Sequence, residues 1–127
     1  MVVDDEPIVG RRLRPALEKS GFEVETFEDP AEAMARIAEV GFDIVVSDIR
    51  MRGLDGLTLL DRVRATGRPT KVILITGHAT DELAREALMR GAFAFIAKPF
   101  KTEQVRAMIE AAARALAGGA PQSEGGS

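Results

Sequence analysis

Five polar residues stand where this sequence could do chemistry. Asp4 and Asp5 follow a short apolar run, Asp48 follows Ile44-Val45-Val46-Ser47, Thr76 follows Val72-Ile73-Leu74-Ile75, and Lys98 follows Ala92–Ala97. Three carboxylates drawn together repel, at a cost on the order of 4 kcal/mol per pair at 4 Å and an effective dielectric near 20. A hard divalent cation relieves that repulsion, and an all-oxygen set without His or Cys favours Mg²⁺ or Mn²⁺ over zinc. Such an ion keeps positions open for water or a phosphate oxygen. A nearby lysine and hydroxyl can bind two further phosphoryl oxygens, so the set carries the equipment of phosphoryl transfer. With no His or Cys in it, a carboxylate is the natural nucleophile. Singly, each residue has a plainer role: Asp5 as a helix cap, Asp48 as a turn former, Thr76 as a strand residue, Lys98 as a solvated side chain. Their shared position at strand ends is what weighs for function.

The elements that must position them alternate along the chain. Met1–Asp4 reads as a strand and Pro7–Ser20 as a helix, with Pro7 in its first turn and Gly21 beyond its end. Phe22–Phe27 alternates apolar and polar residues, as an edge strand does. Asp29-Pro30-Ala31-Glu32 starts a second helix carrying Met34, Ile37 and Ala38 and ended by Gly41. Ile44-Val45-Val46 is an apolar strand, followed by a loop with Gly53 and Gly56 and a helix carrying Leu57, Leu60 and Val63, ended by Gly67. Val72–Ile75 is a further apolar strand, and Thr80 caps a helix with Leu83, Ala84, Ala87 and Leu88 that Gly91 ends. Ala92–Ile96 is the last strand. Thr102 is expected to cap the last helix, where Val105, Met108, Ile109, Ala112 and Leu116 form one stripe. Gly118–Ser127 reads as flexible tail or linker.

Alternating strands and helices imply an α/β domain with a parallel sheet covered on both faces, and the fully apolar strands belong at its centre. Ligands of such sheets bind outside the carboxyl ends of the strands. Two features break the pattern. Pro15 lies inside the first helix, where a kink is expected. The first strand is short for an inner strand. Phe93 and Phe95 have strand spacing and are expected to share a face.

Composition narrows the function. The chain has 127 residues, a net charge of −3, no cysteine and one histidine, His78. That is the size of one domain. The acidic balance argues against direct nucleic-acid binding. The absence of cysteine excludes disulfides and thiolate chemistry and is compatible with a reducing cytosol. The longest apolar run, Ala92–Ala97, is far shorter than a membrane span, and the first residues carry no signal-peptide pattern. A cytoplasmic protein without membrane association is expected.

Several motifs in order, Val2-Val3-Asp4-Asp5-Glu6, Val45-Val46-Ser47-Asp48-Ile49-Arg50-Met51, Leu54-Asp55-Gly56, Ile75-Thr76-Gly77-His78-Ala79 and Lys98-Pro99-Phe100, closely resemble the receiver domain of bacterial two-component response regulators. The resemblance covers residues 1 to about 117. It implies a flavodoxin-like doubly wound (βα)₅ fold, with a five-stranded parallel sheet in the order 2-1-3-4-5. By that likeness Asp48 is the phosphoacceptor, taking a phosphoryl group from a histidine kinase or histidine phosphotransfer protein. Asp5 binds Mg²⁺ directly and Asp4 directly or through water, and Asp48 and the backbone carbonyl of Arg50 complete the protein ligands. Lys98 pairs with a phosphoryl oxygen, Thr76 swings in to another, and Phe95 is the switch aromatic. Lys98–Pro99 matches the family's cis peptide.

The resemblance also implies that the first helix and the loop after the last strand dock the kinase, through Ile8, Arg12, Pro99 and Phe100. The surface of the fourth helix, fifth strand and fifth helix passes the change to a downstream protein or output domain, and a phosphorylation-dependent homodimer is within the family's range. Arg50 and His78, each two residues past a site residue, would tune phosphoryl lifetime or simply line exposed loops. Arg52 stands where many members have proline, so the loop after Asp48 is expected to be less rigid. Two other functions fit the same fold. A Mg²⁺-dependent phosphohydrolase with an aspartyl nucleophile would usually carry an acid at the position of Arg50. A receiver-like scaffold would not need the full set of Asp4, Asp5, Asp48, Thr76 and Lys98.

Overall fold

In a computed structural model, residues 1–77 and 79–118 are described. His78 and the tail beyond Gly118 lie outside them. Strands and helices alternate: β1 (Val2–Val3), α1 (Pro7–Lys19), β2 (Thr26–Phe27), α2 (Pro30–Glu39), β3 (Ile44–Asp48), α3 (Gly56–Ala65), β4 (Lys71–Thr76), α4 (Asp81–Met89), β5 (Ala94–Ala97) and α5 (Thr102–Ala117). The five strands pair in parallel in the order β2-β1-β3-β4-β5. The chemistry of the strands dictates this order. Val45, Val46, Val72, Ile73, Leu74 and Ile75 are all essentially shut off from solvent, so β3 and β4 must lie inside and be covered twice.

Side chains of successive strand residues point to opposite faces, and two cores result. Val3, Val45, Val72 and Leu74 pack with Ala33, Ile37, Leu60, Val63 and Ala87, the layer of α2, α3 and α4. Val2, Val46, Ile73, Ile75 and Ile96 pack with Val9, Leu13, Leu17, Val105, Ile109 and Ala112, the layer of α1 and α5. Helix starts follow their capping residues. The carboxylates of Asp29 and Asp55 accept from the N–H groups of Ala31 and Thr58, both at 2.9 Å, and the Thr80 hydroxyl from Leu83 at 3.0 Å.

Four local expectations need correction. The ladder of β2 holds only Thr26 and Phe27, because the neighbouring β1 is itself two residues long. Ala92 and Phe93 precede β5, and Phe93 packs in the α1/α5 layer whereas Phe95 packs in the other. The strand period does not apply before the ladder begins, so the two rings do not share a face. Lys101, not Thr102, is the N-cap of α5, without a side-chain cap bond; the Thr102 hydroxyl accepts from Arg12 at 3.5 Å instead. α2 stops at an extended Val40 rather than at Gly41.

At the head of β1 the Met1 ammonium donates to the Ile44 carbonyl at 2.9 Å. Burial lowers its pKa from an ordinary 8.0 to about 6, against the opposing pull of Glu25 and Asp43. The unfolded chain therefore binds more protons than the folded one between these values. Stability rises with pH across that window and is lost as pH falls through it. Urea unfolding should give roughly 2 kcal/mol less stability at pH 6 than at pH 8, since one pKa unit corresponds to about 1.36 kcal/mol. Acetylating the terminus should abolish that difference.

Candidate functional site

All strands run the same way, so their carboxyl ends meet along one edge. Asp48 is the last residue of β3 and Thr76 the last of β4; Asp4 and Asp5 follow β1, and Lys98 follows β5. The Lys98 ammonium reaches across the edge. It lies 3.3 Å from Asp48 Oδ2, 3.0 Å from Asp4 Oδ2 and 2.8 Å from Glu6 Oε1. The Lys98 backbone N–H donates to the Thr76 carbonyl at 2.7 Å, which ties the ends of β4 and β5 together. Asp4, Asp48 and Thr76 are buried.

Electrostatics follow from this crowding. Burial pushes the Asp48 carboxyl above its usual range, while Lys98 and the Arg50 backbone N–H pull it back and Asp5 adds repulsion. Asp4 is likewise raised, first by burial, against the Glu6 N–H and Lys98. Burial opposes the charge on Lys98, but the hydrogen bond to Glu6 and the charges of Asp4 and Asp48 outweigh it and hold the ammonium above its ordinary value. The lysine is thus firmly cationic beside two reluctant anions.

The donor set fits a hard cation. Asp4, Glu6 and Asp48 each offer a carboxylate oxygen, all within 4.8 Å of one another. Asp4 Oδ2 is buried and receives no hydrogen bond, although the ammonium stands at ion-pair distance. An acceptor in that state is costly to leave unmatched, and oxygen-rich crowding of this kind suits Mg²⁺. Asp5 faces elsewhere. Its Oδ2 accepts from the Arg52 backbone N–H at 3.2 Å and lies 3.8 Å from the Arg52 guanidinium. Of the three predicted carboxylates, then, Asp4 and Asp48 converge on Lys98 and Asp5 borders them. Glu6 was missed in the sequence. Its only signal was adjacency to the Asp4-Asp5 pair, and its contact with Lys98 is a matter of tertiary structure.

The remaining predicted residues divide between the sheet face and the rim. Phe95 pairs with Leu74, and Thr76 with Ala97, in the same ladder. Alternation puts Phe95 and Thr76 on one face, two register positions apart. The Arg50 side chain is exposed, and its contribution is the backbone N–H to Asp48. Arg12 stands over the Phe100 ring at 5.6 Å, joining α1 to the loop after β5, where Lys98–Pro99 is cis. Ile8 and Pro99 are exposed nearby in the chain, and Phe100 is buried. His78 is outside the described residues.

Lys98→Met removes the one cation within hydrogen-bonding reach of Asp48 and Asp4 among the described residues. Stranding buried carboxylates in this way should destabilise the metal-free protein by about 3 kcal/mol. Millimolar Mg²⁺ should restore most of the loss. Urea unfolding of parent and variant, with and without Mg²⁺, measures both.

Comparison with known proteins matches this geometry. Residues 1–110 match the family model described as the response regulator receiver domain. The transcriptional regulatory protein FixJ of Bradyrhizobium diazoefficiens is 40% identical over 113 residues, covering 89% of this chain and 55% of that protein. The DNA-binding transcriptional regulator NtrC of Escherichia coli K12 is 37% identical over 111 residues, covering 87% of this chain and 24% of the relative. The chain therefore spans about half the length of the first relative and a quarter of the second. Among solved structures, the beryllofluoride-activated NtrC4 receiver domain dimer superimposes with a TM-score of 0.82 at 34% identity, over 87% of this chain and 92% of that one. The receiver domain of NtrX from Brucella abortus does so at 0.77 and 38%, over 91% and 96%.

Proposed function

The chain belongs to the response regulator receiver domain family, and from that membership we propose that it is a phosphorylation-switched signalling module with Asp48 as the phosphoacceptor. The carrying observation is the Lys98 ammonium, 3.3 Å from Asp48 and 3.0 Å from Asp4 at the carboxyl edge of the sheet. A phosphohistidine of a kinase or phosphotransfer protein is the donor. An Asp48 oxygen attacks phosphorus, the bond from phosphorus to the donor's imidazole nitrogen breaks, and the imidazole leaves with the electron pair and takes up a proton. Asp4, Asp5, Asp48 and the Arg50 backbone carbonyl would hold Mg²⁺ or Mn²⁺, with Glu6 as a further oxygen donor in the same cluster. The ion, when bound, supplies positive charge against the carboxylates and the phosphoryl oxygens.

This chain's own residues do the rest. Lys98 leaves Glu6 and holds a phosphoryl oxygen, and the Thr76 hydroxyl donates to another. Phe95, on the same sheet face, fills the space Thr76 vacates. The phosphoryl group adds roughly −1.5 to −2 charges and three strong acceptors, so Lys98 and Thr76 gain partners present only in the modified state. Moving an equilibrium from 1:99 to 99:1 takes about 5.5 kcal/mol, within reach of a few charge-assisted hydrogen bonds.

The docking of a kinase falls to Ile8, Arg12, Pro99 and Phe100, a reading supported by the Arg12–Phe100 stacking that joins the two segments. Output passes through α4, β5 and α5 to a downstream protein, an output domain or a second phosphorylated copy. Residues 1–117 form the receiver and 118–127 a tail or linker, acting in the cytoplasm. One phosphate per chain, not turnover, separates this role from a phosphohydrolase, whose usual second acid is replaced by the exposed Arg50. Incubation with acetyl phosphate and Mg²⁺ should add one phosphate by intact mass, and chelating the metal should prevent it. Rapid multiple turnover of phosphate esters, or no uptake at all, would defeat the reading.

A further inference from the structure

Asp5 is held from the loop between β3 and α3. The Arg52 backbone N–H donates to Asp5 Oδ2 at 3.2 Å, and the Arg52 guanidinium stands 3.8 Å from the same oxygen. Gly53, at φ 86°, makes the left-handed turn that follows. The two side chains are unequal: Asp5 is 21% exposed, whereas Arg52 is 92% exposed. Arg52 also lines a hollow of about 520 Å³ together with Asp55, which gives its guanidinium room to move.

This pairing sets Asp5 apart from the other acids. Asp4, Glu6 and Asp48 bring their oxygens within 4.8 Å of one another, and among the described residues that group does not include Asp5. A divalent cation that takes Asp5 as a ligand meets two different contacts at Oδ2. The backbone N–H is neutral, and a carboxylate has lone pairs to spare, so that bond can persist. The guanidinium carries a full positive charge. It offsets the negative charge that attracts the ion and repels the ion itself, so it must move away as the ion arrives.

We propose that Arg52 is a positioning residue that restrains divalent-metal binding at the acidic edge, its guanidinium holding Asp5 until the cation displaces it. The proposal rests on the reading of Asp5 as a metal ligand. Arg52 itself touches neither the ion nor a phosphoryl group. An exposed ion pair is worth little on its own, so repulsion between guanidinium and ion sets the effect as much as the pair does. Both are screened by salt, with a reach of about 30 Å at 0.01 M and about 3 Å at 1 M. Metal affinity is thereby adjusted at one exposed position without altering a ligand.

The test is an NMR titration of the whole chain with MgCl₂ alone, read from the amide shifts of residues 48–50, at about 0.01 M and about 1 M salt. Arg52→Ala keeps the backbone N–H and removes the charge. It should bind Mg²⁺ about threefold to tenfold more tightly than the parent at the lower salt, and within about 1.5-fold of it at the higher. Arg52→Lys keeps the charge and should stay within about twofold of the parent at either salt. Arg114→Ala makes the same change of net charge in the last turn of α5 and should also stay within about twofold. The proposal is overturned if Arg52→Ala binds like the parent, if its gain persists undiminished at the higher salt, or if Arg52→Lys or Arg114→Ala gains as much. A parent that binds Mg²⁺ while Arg52→Ala shows no gain overturns this proposal alone. No Mg²⁺ binding by the parent or any variant overturns the reading of the metal ligands and this proposal with it.

Discussion

Asp48→Asn takes up no phosphate from acetyl phosphate under conditions where the parent chain gains one, and in metal-free buffer it is the more stable protein. The first half follows from the nucleophile. An amide oxygen does not form an acyl phosphate, and among the described residues no other carboxylate has both burial and the Lys98 ammonium within hydrogen-bonding reach except Asp4, which is held by the Glu6 N–H. The second half follows from the raised carboxyl. Burial penalises the charged form of Asp48 more than Lys98 rewards it, so the folded state binds this proton more tightly than the unfolded chain. Above the folded pKa that difference counts against stability, and it fades as pH falls and the carboxyl is protonated. The neutral, nearly isosteric amide removes the penalty, while Lys98 keeps Asp4 and Glu6 as partners. A gain of about 1 to 2 kcal/mol is expected near pH 7. Intact mass and urea unfolding measure the two halves separately. A variant that is both inert and less stable would show that the site is not under the electrostatic load described.

The second large effect comes from a position with no polar atoms in its side chain. Gly56 opens α3 and its N–H donates to the Ile49 carbonyl at 2.7 Å, which folds the loop back onto the end of β3. A methyl group at Gly56 would overlap the Asp48 carbonyl oxygen and stand 2.8 Å from Ile49 Cα. Both obstacles are backbone, so neither can rotate away. Gly56→Ala should cost about 3 kcal/mol, the upper range for overpacking. Since the strain falls on Asp48 itself, phosphate uptake should slow as well. Gly77→Ala is the control: its added methyl meets nothing nearer than Lys98 Cβ at 4.0 Å. It should unfold within about 0.5 kcal/mol of the parent. If the two variants unfold alike, the loop yields and the contact is not a constraint.

These residues also show how far the sequence carried. The apolar runs of β3 and β4 could only be inner strands, and Asp29 and Thr80 announced their helices because capping is a local interaction. Asp48, Thr76 and Lys98 were legible because strand ends of a parallel sheet share an edge whatever the loops do. β2 was misjudged for the opposite reason: whether Phe22–Glu25 pairs depends on a neighbour far away in the chain. Phe93 was misplaced because the strand period holds only inside the ladder. Glu6 and Gly56 required distances. Nothing in Asp4-Asp5-Glu6 says which carboxylate meets the lysine, and Leu54-Asp55-Gly56 does not say that its glycine abuts Asp48. Arg52 shows in sequence only as a departure from proline; that its backbone N–H reaches Asp5 is a matter of tertiary structure.

One asymmetry within the α2/α3/α4 layer bears on the proposed output surface. α3 buries Leu57, Leu59, Leu60 and Val63, whereas α4 buries only Ala87 fully and leaves Leu88 and Met89 half exposed or more. The free energy needed to detach a helix scales with the apolar surface it covers, so α4 is the part that opens most readily. Under the proposed function, the domain is stiff where the phosphoryl bond would be made and loose where it would be read: a small free-energy gain at the sheet edge would act where little resists it.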